Sequence, residues 1–355
     1  GDVYKRQVEE CELMCGTQIR SVYAGIAGHH IRGQNSRGMV TVYHNRIVTD
    51  EDIRRVIDAA QVLIPNDREV LHILPQEFIV DDQDGVQNPL GMAAARLEVN
   101  VHIVTGSVTS AQNIIKCCNQ SGLDVEDIVL EPLSSSQAVL SPDEQEVGVV
   151  LVDIGGGTTD VTIYSEGSIV HTAVLALGGN HLTHDIAIGL GAPLHEAEEI
   201  KHNFGVAMTS MVKEDEMIEV PSVGGRNNRT MKKRVLASII EDRFREIFEL
   251  IAHEIEKTHF HTLMASGVVI TGGTCIMPGA DQLASQVLNL PVRVGFPENI
   301  SGLREMIYSP KYATSVGLVR YGITSNQGKL HFAGDDTNLF HKVSRRMKDW
   351  MQNFF

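Results

Sequence analysis

The stretch "VDIGGGTTD", Val152 to Asp160, decides the fold. The apolar run leading into it indicates a buried strand, which delivers Asp153 to three glycines and two threonines: Gly155, Gly156, Gly157, Thr158 and Thr159. Glycines let the backbone turn tightly and approach a bulky anion, whose oxygens the N–H groups then bind, and the threonines add hydroxyl donors. The stretch predicts a phosphate-binding loop. Its alternative is a β-hairpin with a flexible turn, which needs only one or two glycines.

Two carboxylates flank these glycines. Asp153, at the end of the strand, is placed to hold a divalent cation through water, as phosphate sites often require. Asp160 is placed either to do the same or to cap the turn. We therefore expect Mg²⁺ near Asp153 when phosphates are bound.

A second glycine turn lies further along, in "VVITGGTCIMPG", Val268 to Gly279. Gly272 and Gly273 follow a strand pattern and precede a helix pattern. Alone, this turn is equally consistent with a tight connection that needs positive φ. Together, the two turns indicate two halves of one cleft, one for phosphates and one for a nucleoside.

A helix pattern between the two turns, "HEAEEIKHNFG", carries Glu198 and Lys201 three residues apart, so both face the same way. The alternative is an ordinary solvated ion pair. The stretch resembles a zinc-binding HExxH motif only superficially, because no histidine follows His195 at the fourth position. Neither the pair of Cys11 and Cys15 nor the "HFH" at 259–261 has enough partners to favour a metal site.

The rest of the chain shows an α/β pattern. Strands are predicted at 19–28, 70–80 and 99–106, with turns at Asp84-Gly85 and Asn88-Pro89. Helices are predicted from Thr49, whose capping box uses Asp52, and at 110–123, ended by Gly122. These elements form a small α/β unit at 26–104. Three strand patterns follow between 146 and 179, then a long amphipathic helix at 232–258 and a polar, glycine-rich linker from Gly322 to Asn338.

Composition excludes several classes of protein. The 355 residues include 43% hydrophobic and 21% charged side chains and carry a formal net charge of -15, which argues against nucleic acid as a partner. No apolar run of eighteen residues is present. Five cysteines, an odd number without framework spacing, indicate a reduced, cytoplasmic setting.

The first seven residues, "GDVYKRQ", resemble a translated sequencing adapter. We exclude them from the fold prediction, since such segments carry no structural information. The pattern after Gln7 begins within a helix, so we expect a chain truncated at its N-terminus.

The last residues, 339–355, differ in character from the acidic body. Four bases and one acid give this segment a net charge of +3, leaving -18 elsewhere. Its apolar residues recur at helical spacing: Leu339, Phe340, Val343, Met347, Trp350, Met351, Phe354 and Phe355. Its bases lie on the flanks and the opposite face: Lys342, Arg345, Arg346 and Lys348. Such a helix suits the interface of an anionic membrane. The alternative is a helix docked on the protein's own core.

The glycine turns and the helix between them occur in this order in a known superfamily. "DIGGGTTD", "AEEIK" and "TGGT" resemble the motifs of the actin-like ATPases, which include actin, MreB, the large heat-shock chaperones and sugar kinases. Within it, the chain closely resembles the FtsA family of bacterial cell-division proteins, in "SVYAGIAGHHI", "VLHILPQEFIVDDQDGVQNPLGM", "IEVPSVGGR" and the closing tail. The resemblance covers 8–355. It implies an α/β actin-like ATPase fold of two ribonuclease-H-like domains, an inserted FtsA-type 1C subdomain and a C-terminal amphipathic helix.

The resemblance also implies a site for ATP and Mg²⁺. The second phosphate loop matches Asp153, Gly155, Gly156, Gly157, Thr158 and Thr159. The turn bordering ribose and phosphates matches Gly178, Gly179 and Asn180, and the pair beside the adenosine matches Glu198 and Lys201. The adenosine loop matches Gly272, Gly273 and Thr274. Relatives carry a first phosphate loop upstream of this chain's start, so weak ATP binding is expected here. No catalytic residue is assigned, and ATPase activity is expected to be weak or absent.

The implied division of the chain follows the family. Residues 1–25 would hold the adapter-like segment and a remnant of subdomain 1A, 26–104 subdomain 1C, and 105–146 the rest of 1A. Residues 147–178 and 266–325 would form 2A, with a return to 1A near the end, and 179–265 would form 2B. Residues 326–338 would be the linker and 339–355 the membrane-targeting helix, in which the contacts are Lys342, Val343, Arg345, Arg346, Met347, Trp350, Met351, Phe354 and Phe355.

The implied function is an adaptor in bacterial cell division. Such a protein binds ATP, forms polymers with itself, and anchors the FtsZ ring to the cytoplasmic face of the cell membrane at the septum, helping to recruit later division proteins. Arg229 and Arg243 would contact the acidic C-terminal tail of FtsZ. The alternatives are a metabolite kinase of the same superfamily and an ATPase of the pilus-assembly type.

Overall fold

The computed structural model describes residues 2–43, 46–61, 64–222, 227–258, 264–300 and 304–327. The helices are α1 (Asp2–Cys15), α2 (Asp50–Ala59), α3 (Val108–Gln120), α4 (Glu131–Val139), α5 (Pro142–Val147), α6 (Gly179–Leu190), α7 (Leu194–Phe204), α8 (Lys233–Glu256), α9 (Ala280–Leu288), α10 (Arg304–Ile307) and α11 (Ala313–Gln327). The strands are β1 (Ser21–Ile26), β2 (Arg32–Thr41), β3 (Arg68–Val80), β4 (Gln83–Val86), β5 (Arg96–Ser107), β6 (Asp124–Leu130), β7 (Val149–Ile154), β8 (Thr159–Ser165), β9 (Ser168–Leu175), β10 (Met217–Val220), β11 (Arg229–Lys232), β12 (Val268–Thr271) and β13 (Val292–Val294).

The chain forms two compact units. Unit 1 contains Gly1–Gln137, Ser168–Thr172 and the described residues from Ser315 onward. Unit 2 contains Ala138–Gly167 and Ala173–Thr314. In the part of the chain that the structure describes, no helix is both long and apolar enough to cross a membrane.

Unit 1 contains a four-stranded antiparallel sheet in the order β2-β5-β3-β4, with α2 packed on β2 and β5. The predicted capping box is present: the Thr49 hydroxyl accepts from the amide of Asp52, whose carboxylate accepts from the amide of Thr49. The apolar face of α2 is buried, including Val56 and Ile57. Burial of this face against the sheet, at roughly 25 cal/mol per Å² of apolar surface, holds the helix in place.

The prediction of a turn at Asp84-Gly85 is wrong. Both residues lie in β4, which pairs back on β3. The chain reverses earlier, at Asp81 and Asp82, which have φ of 46° and 73°. Aspartate tolerates this left-handed region because its short polar side chain forms local hydrogen bonds. The Asp81 carboxylate also ties the turn to the start of β5, because it accepts from the amides of Ala95 and Arg96.

A buried histidine lies in unit 1. His102, on β5, is 1% exposed, and its ring nitrogens contact Asn35 Oδ1 at 2.6 Å and Thr172 Oγ1 at 2.9 Å. Burial, with a smaller contribution from His171, lowers the pKa of His102 to about 3. The imidazole is therefore neutral in the folded protein at neutral pH.

The linker predicted from Gly322 begins too early, since α11 continues to Gln327. The packing of Gly322 explains why the glycine does not end the helix. A Cβ at this position would lie 2.6 Å from the Tyr23 ring, so glycine allows α11 and β1 to come close. The Tyr321 hydroxyl, one residue earlier, donates to Asp127 Oδ2 at 3.1 Å. Residues 328–338 of the predicted linker, and the whole segment 339–355, lie outside the described residues.

Unit 2 is built on four neighbouring strands in the order β13-β12-β7-β8. β13, β12 and β7 run parallel, and β8 pairs antiparallel with β7. All six residues of β7 are buried, which confirms the buried strand predicted from its apolar run. The long helix predicted at 232–258 is α8, which packs on α6 and α9 and buries residues such as Phe244 and Phe248. Val235, in the first turn of the same helix, is apolar but 41% exposed.

Candidate functional site

The first glycine loop, Gly155 to Thr158, joins β7 to β8 in an antiparallel hairpin. The structure therefore shows the β-hairpin that the sequence analysis gave as the alternative to a phosphate-binding loop. The Gly155 amide donates to the Thr158 carbonyl at 2.9 Å and closes the loop. A Cβ on Gly157 would meet nothing within 4 Å, so the tip of the loop faces open space. Hairpin and anion-binding loop are compatible, because the tip leaves room for a ligand.

The three glycine turns meet at the carbonyl groups of this loop. Gly155 O accepts from the Gly179 amide at 2.9 Å and from the Thr274 hydroxyl at 2.9 Å. Gly156 O accepts from the Asn180 amide at 2.7 Å. Segments that are far apart in sequence are thus held together by three hydrogen bonds.

Close approach explains two of the glycines. A Cβ on Gly178 would lie 2.7 Å from Gly155 O and 2.8 Å from Gly156 O. Gly272 has φ of +91°, and a Cβ there would lie 2.4 Å from Asp153 Oδ1. Any other residue at either position would push the turns apart.

A pocket of about 390 Å³ opens beside these turns, entirely within unit 2. Its predicted lining residues are Gly156, Gly179, Asn180, Glu198, Lys201, Gly273 and Thr274. Lining residues that the sequence did not predict are His202, Gly205, Ile276, Met277, Pro278 and Lys311. Three of these residues, Ile276, Met277 and Pro278, lie in the stretch "CIMPG" directly after the second glycine turn, and that position could have indicated them. No pattern in the sequence around Lys311 indicates that it lines a pocket.

Lys201, on α7, forms a partly buried ion pair rather than a solvated one. Its side chain is 10% exposed, and Nζ donates to Glu198 Oε2 at 2.7 Å, to Thr183 Oγ1 at 2.8 Å and to the Gly179 carbonyl at 3.2 Å. Burial alone would raise the pKa of Glu198, but hydrogen bonds from Lys201 and Thr183, the charge of Lys201 and a hydrogen bond with His202 lower it overall. Glu198 is therefore a carboxylate at neutral pH.

Two carboxylates lie opposite each other below the glycine loop. Asp153 on β7 and Asp160 on β8 are paired across the hairpin and are 8% and 4% exposed. The Thr314 hydroxyl donates to Asp153 Oδ2 at 3.2 Å, and the Thr158 hydroxyl lies 3.4 Å from Asp160 Oδ2. Like charges directly opposite on neighbouring strands repel. The described residues contain no group of three or more metal-binding side chains, so a cation here would draw most of its ligands from water or phosphate.

The remaining predicted residues are placed as follows. The expectation that both threonines offer hydroxyls is wrong for Thr159, which is fully buried and donates to the Leu177 carbonyl at 2.9 Å. Arg229 is exposed and donates to the Leu190 carbonyl. Arg243 on α8 is 22% exposed and pairs with Asp185 and Glu246. The predicted membrane contacts between Lys342 and Phe355 lie outside the described residues.

Comparison with known proteins gives two family matches. The model of "Cell division protein FtsA" matches residues 150–317, which hold the pocket and both glycine turns. The model of the "SHS2 domain inserted in FTSA" matches residues 28–105, which hold the four-stranded sheet of unit 1 except the last two residues of β5. FtsA of Pseudomonas aeruginosa is 43% identical over 99% of this chain and 85% of its own length. The chain belongs to the FtsA family. FtsA of Escherichia coli is 39% identical over 99% of this chain and 86% of its own length.

Solved structures agree on the actin-like fold. The PilM–PilN complex of type IV pilus biogenesis aligns with a TM-score of 0.63, over 90% of this chain and 85% of the other, at 16% identity. MreB5 of Spiroplasma citri, bound to ADP, aligns with a TM-score of 0.50, over 63% of this chain and 67% of its own, at 20% identity. The predicted α/β actin-like fold with its FtsA-type insertion is confirmed, and the chain has the cell-division role of its family.

Proposed function

We propose that this member of the FtsA family binds ATP with Mg²⁺ in the pocket of unit 2 and polymerises. The polymer tethers FtsZ to the cytoplasmic face of the membrane at the septum, where it helps to recruit later division proteins. The observation that carries the nucleotide part is the meeting of three glycine turns at the Gly155 carbonyl, beside an open pocket. Family membership favours cell division over the metabolite-kinase and pilus-type alternatives.

The phosphates are assigned to the loop Gly155–Thr158 and to the N-terminus of α6. The open space beside Gly157 admits a bulky anion. The amides of Gly179 and Asn180 already donate to Gly155 O and Gly156 O, so the N-terminus of α6 would attract the phosphates through its dipole and not through these two donors. The adenosine is assigned to the wall formed by Gly273, Thr274 and Met277. The ADP bound to MreB5, a protein of the same fold, supports a nucleotide as the ligand.

Mg²⁺ is assigned to the opposed carboxylates Asp153 and Asp160. Mg²⁺ in nucleotide sites keeps several waters and is held by one or two carboxylates together with the phosphates, which fits this pair. The ion would also relieve the repulsion between the two side chains. We assign no catalytic base, and the proposed protein is an adaptor that hydrolyses ATP slowly or not at all.

Membrane attachment is assigned to residues 339–355. Its support is the sequence pattern: an apolar stripe that includes Trp350 and Phe354, flanked by Lys342, Arg345 and Arg346, with a net charge of +3. One helix of this length gives reversible binding, so polymerisation would strengthen attachment through multivalency.

The FtsZ tail is assigned to the surface around α8. Arg229 is exposed and is placed to meet an acidic peptide directly. Arg243 is already held by Asp185 and Glu246, so a peptide carboxylate would have to displace one of them. We therefore assign Arg229 the larger contribution. The subdomain boundaries given above, with 26–104 as 1C and 179–265 as 2B, form part of this proposal.

Three binding measurements test the proposal separately. Fluorescent ATP titrated with and without Mg²⁺ tests the pocket, and binding that is absent even at millimolar ATP would exclude it. Co-sedimentation with anionic vesicles, comparing the full chain with a chain lacking residues 339–355, tests the anchor; equal pelleting of both would exclude it. A peptide of the FtsZ tail tests the partner surface, where Arg229→Ala should weaken binding more than Arg243→Ala.

A further inference from the structure

The ammonium of Lys201 has no donor left for a ligand. A lysine ammonium offers three N–H donors. Three protein oxygens receive them, on Glu198 at 2.7 Å, Thr183 at 2.8 Å and Gly179 at 3.2 Å, and the side chain is 10% exposed. Lys201 thus lines the pocket with its hydrogen-bonding capacity directed into the protein.

Thr183 connects the two members of the ion pair. It lies on α6, one turn after Gly179, and its hydroxyl accepts from Lys201. The same hydroxyl lies within hydrogen-bonding distance of Glu198 Oε2 and 3.1 Å from the Gly179 carbonyl. Its single proton goes to the carboxylate, which is the stronger acceptor.

This network joins the glycine turn at the start of α6 to α7. Lys201 fixes the Gly179 carbonyl, and the amide of the same Gly179 donates to Gly155 O. On α7, the network fixes Oε2 of Glu198 and leaves Oε1, which lies 3.0 Å from His202, on the exposed side. The position of the turn and the orientation of Glu198 therefore depend on a buried lysine and a threonine.

We propose that Lys201 and Thr183 are positioning residues of the pocket: they hold the turn Gly178–Asn180 and orient Glu198, and Lys201 itself donates no hydrogen bond to the ligand. This inference rests on the proposed nucleotide site. It reassigns Lys201 from contacting the adenosine, as the family resemblance implies, to supporting the residues that do. It also adds Thr183, which no sequence motif indicated.

The test is Thr183→Val, which keeps the shape of the side chain and removes the hydroxyl. Thr183→Ser keeps the hydroxyl and is the rescue variant. Thr162→Val is the matched control, because Thr162 is fully buried in the same unit and its hydroxyl has no hydrogen-bond partner among the described residues. Affinity is measured by titrating fluorescent ATP with Mg²⁺, and Lys201→Met and the double variant complete a double-mutant cycle.

We expect Thr183→Val to weaken ATP binding about tenfold, because the charge-assisted hydrogen bond between the buried Thr183 hydroxyl and the partly exposed Glu198 carboxylate is lost. Thr183→Ser and Thr162→Val should stay within about twofold of the wild type. The double variant should bind no more weakly than Lys201→Met alone, since both changes disable the same network. Hydrogen exchange of the peptide 176–183 should rise in Thr183→Val without nucleotide, which reports the loosened turn directly.

Two results would overturn the inference. The first is Thr183→Val binding ATP as tightly as the wild type, with unchanged exchange at 176–183, while Lys201→Met loses affinity. The second is full additivity of the two substitutions, which would mean that Lys201 contacts the nucleotide independently of Thr183. If the wild type bound no nucleotide, the proposed function would fail instead, and the exchange measurement would still test the positioning network.

Discussion

Replacing Gly178 by alanine should separate the glycine turns that form the pocket. The added Cβ would lie 2.7 Å from Gly155 O and 2.8 Å from Gly156 O, and a carbon atom does not approach closer than 3.0 Å. Both contacts are to backbone, so no side chain can rotate away. The neighbouring hydrogen bonds, from Gly179 at 2.9 Å and Asn180 at 2.7 Å, must lengthen as the turns move apart.

The cost follows from these contacts. Overpacking costs about 1–3 kcal/mol, and weakening two hydrogen bonds adds about 1 kcal/mol. For a unit of this size, about 2–4 kcal/mol corresponds to a fall in Tm of roughly 4–15 °C. The φ of Gly178, -173°, is extended backbone that alanine also adopts, so the effect is steric and not a matter of backbone strain.

Thermal unfolding followed by circular dichroism, without nucleotide, is the assay. Gly157→Ala is the matched control, because its Cβ would meet nothing within 4 Å and should leave Tm within about 2 °C of the wild type. Equal melting of Gly178→Ala and the wild type, or an equal fall in both variants, would refute the reasoning from close contact.

Three further predictions concern other sites. Between pH 6.5 and about 3 the unfolded chain protonates His102 while the folded protein does not. The contribution of neutral His102 to the free energy of unfolding is therefore complete above pH 6.5 and falls by up to about 1.4 kcal/mol per pH unit as the pH drops. Urea unfolding should show a shallower pH dependence in His102→Gln than in the wild type. Asp160→Asn should stabilise the metal-free protein, because it removes the repulsion with Asp153, and should reduce the gain in ATP affinity that Mg²⁺ gives. ATP titrations with and without Mg²⁺ measure this gain, and an unchanged gain would exclude Asp160 as a Mg²⁺ ligand. Thr49→Ala should cost about 1 kcal/mol of stability in urea unfolding through loss of the α2 cap, whereas Thr49→Ser should cost little.

Periodicity and capping predicted most of the regular elements, because their signals are local. The apolar run of β7, the capping box at Thr49 and the amphipathic pattern at 232–258 all correspond to observed elements. The errors occurred where tertiary contacts decide. The Gly322 position reads as a linker in sequence, yet it continues a helix because the Tyr23 ring packs against it. The Asp-Gly at 84–85 is a strong turn signal, but the preceding pair of aspartates turns first.

The glycine turns were recognisable from sequence, but their supporting network was not. Each turn carries its own signature of glycines that follow a strand. Thr183 and Lys201 are eighteen positions apart on different helices, and nothing local indicates that their side chains meet. The burial of Thr159 likewise depends on the Leu177 carbonyl, which only the fold brings to it. Contacts that close a site from different elements require the structure.

The most direct test of the nucleotide site is hydrogen exchange of the wild-type chain with and without millimolar ATP and Mg²⁺, with peptides that resolve each glycine turn. We predict that ATP slows exchange in three separate segments, 153–160, 176–183 and 272–279, and leaves the sheet of unit 1 at 68–107 unchanged. Protection confined to unit 1, or to only one of the three turns, would contradict the assignment of this pocket to a nucleotide.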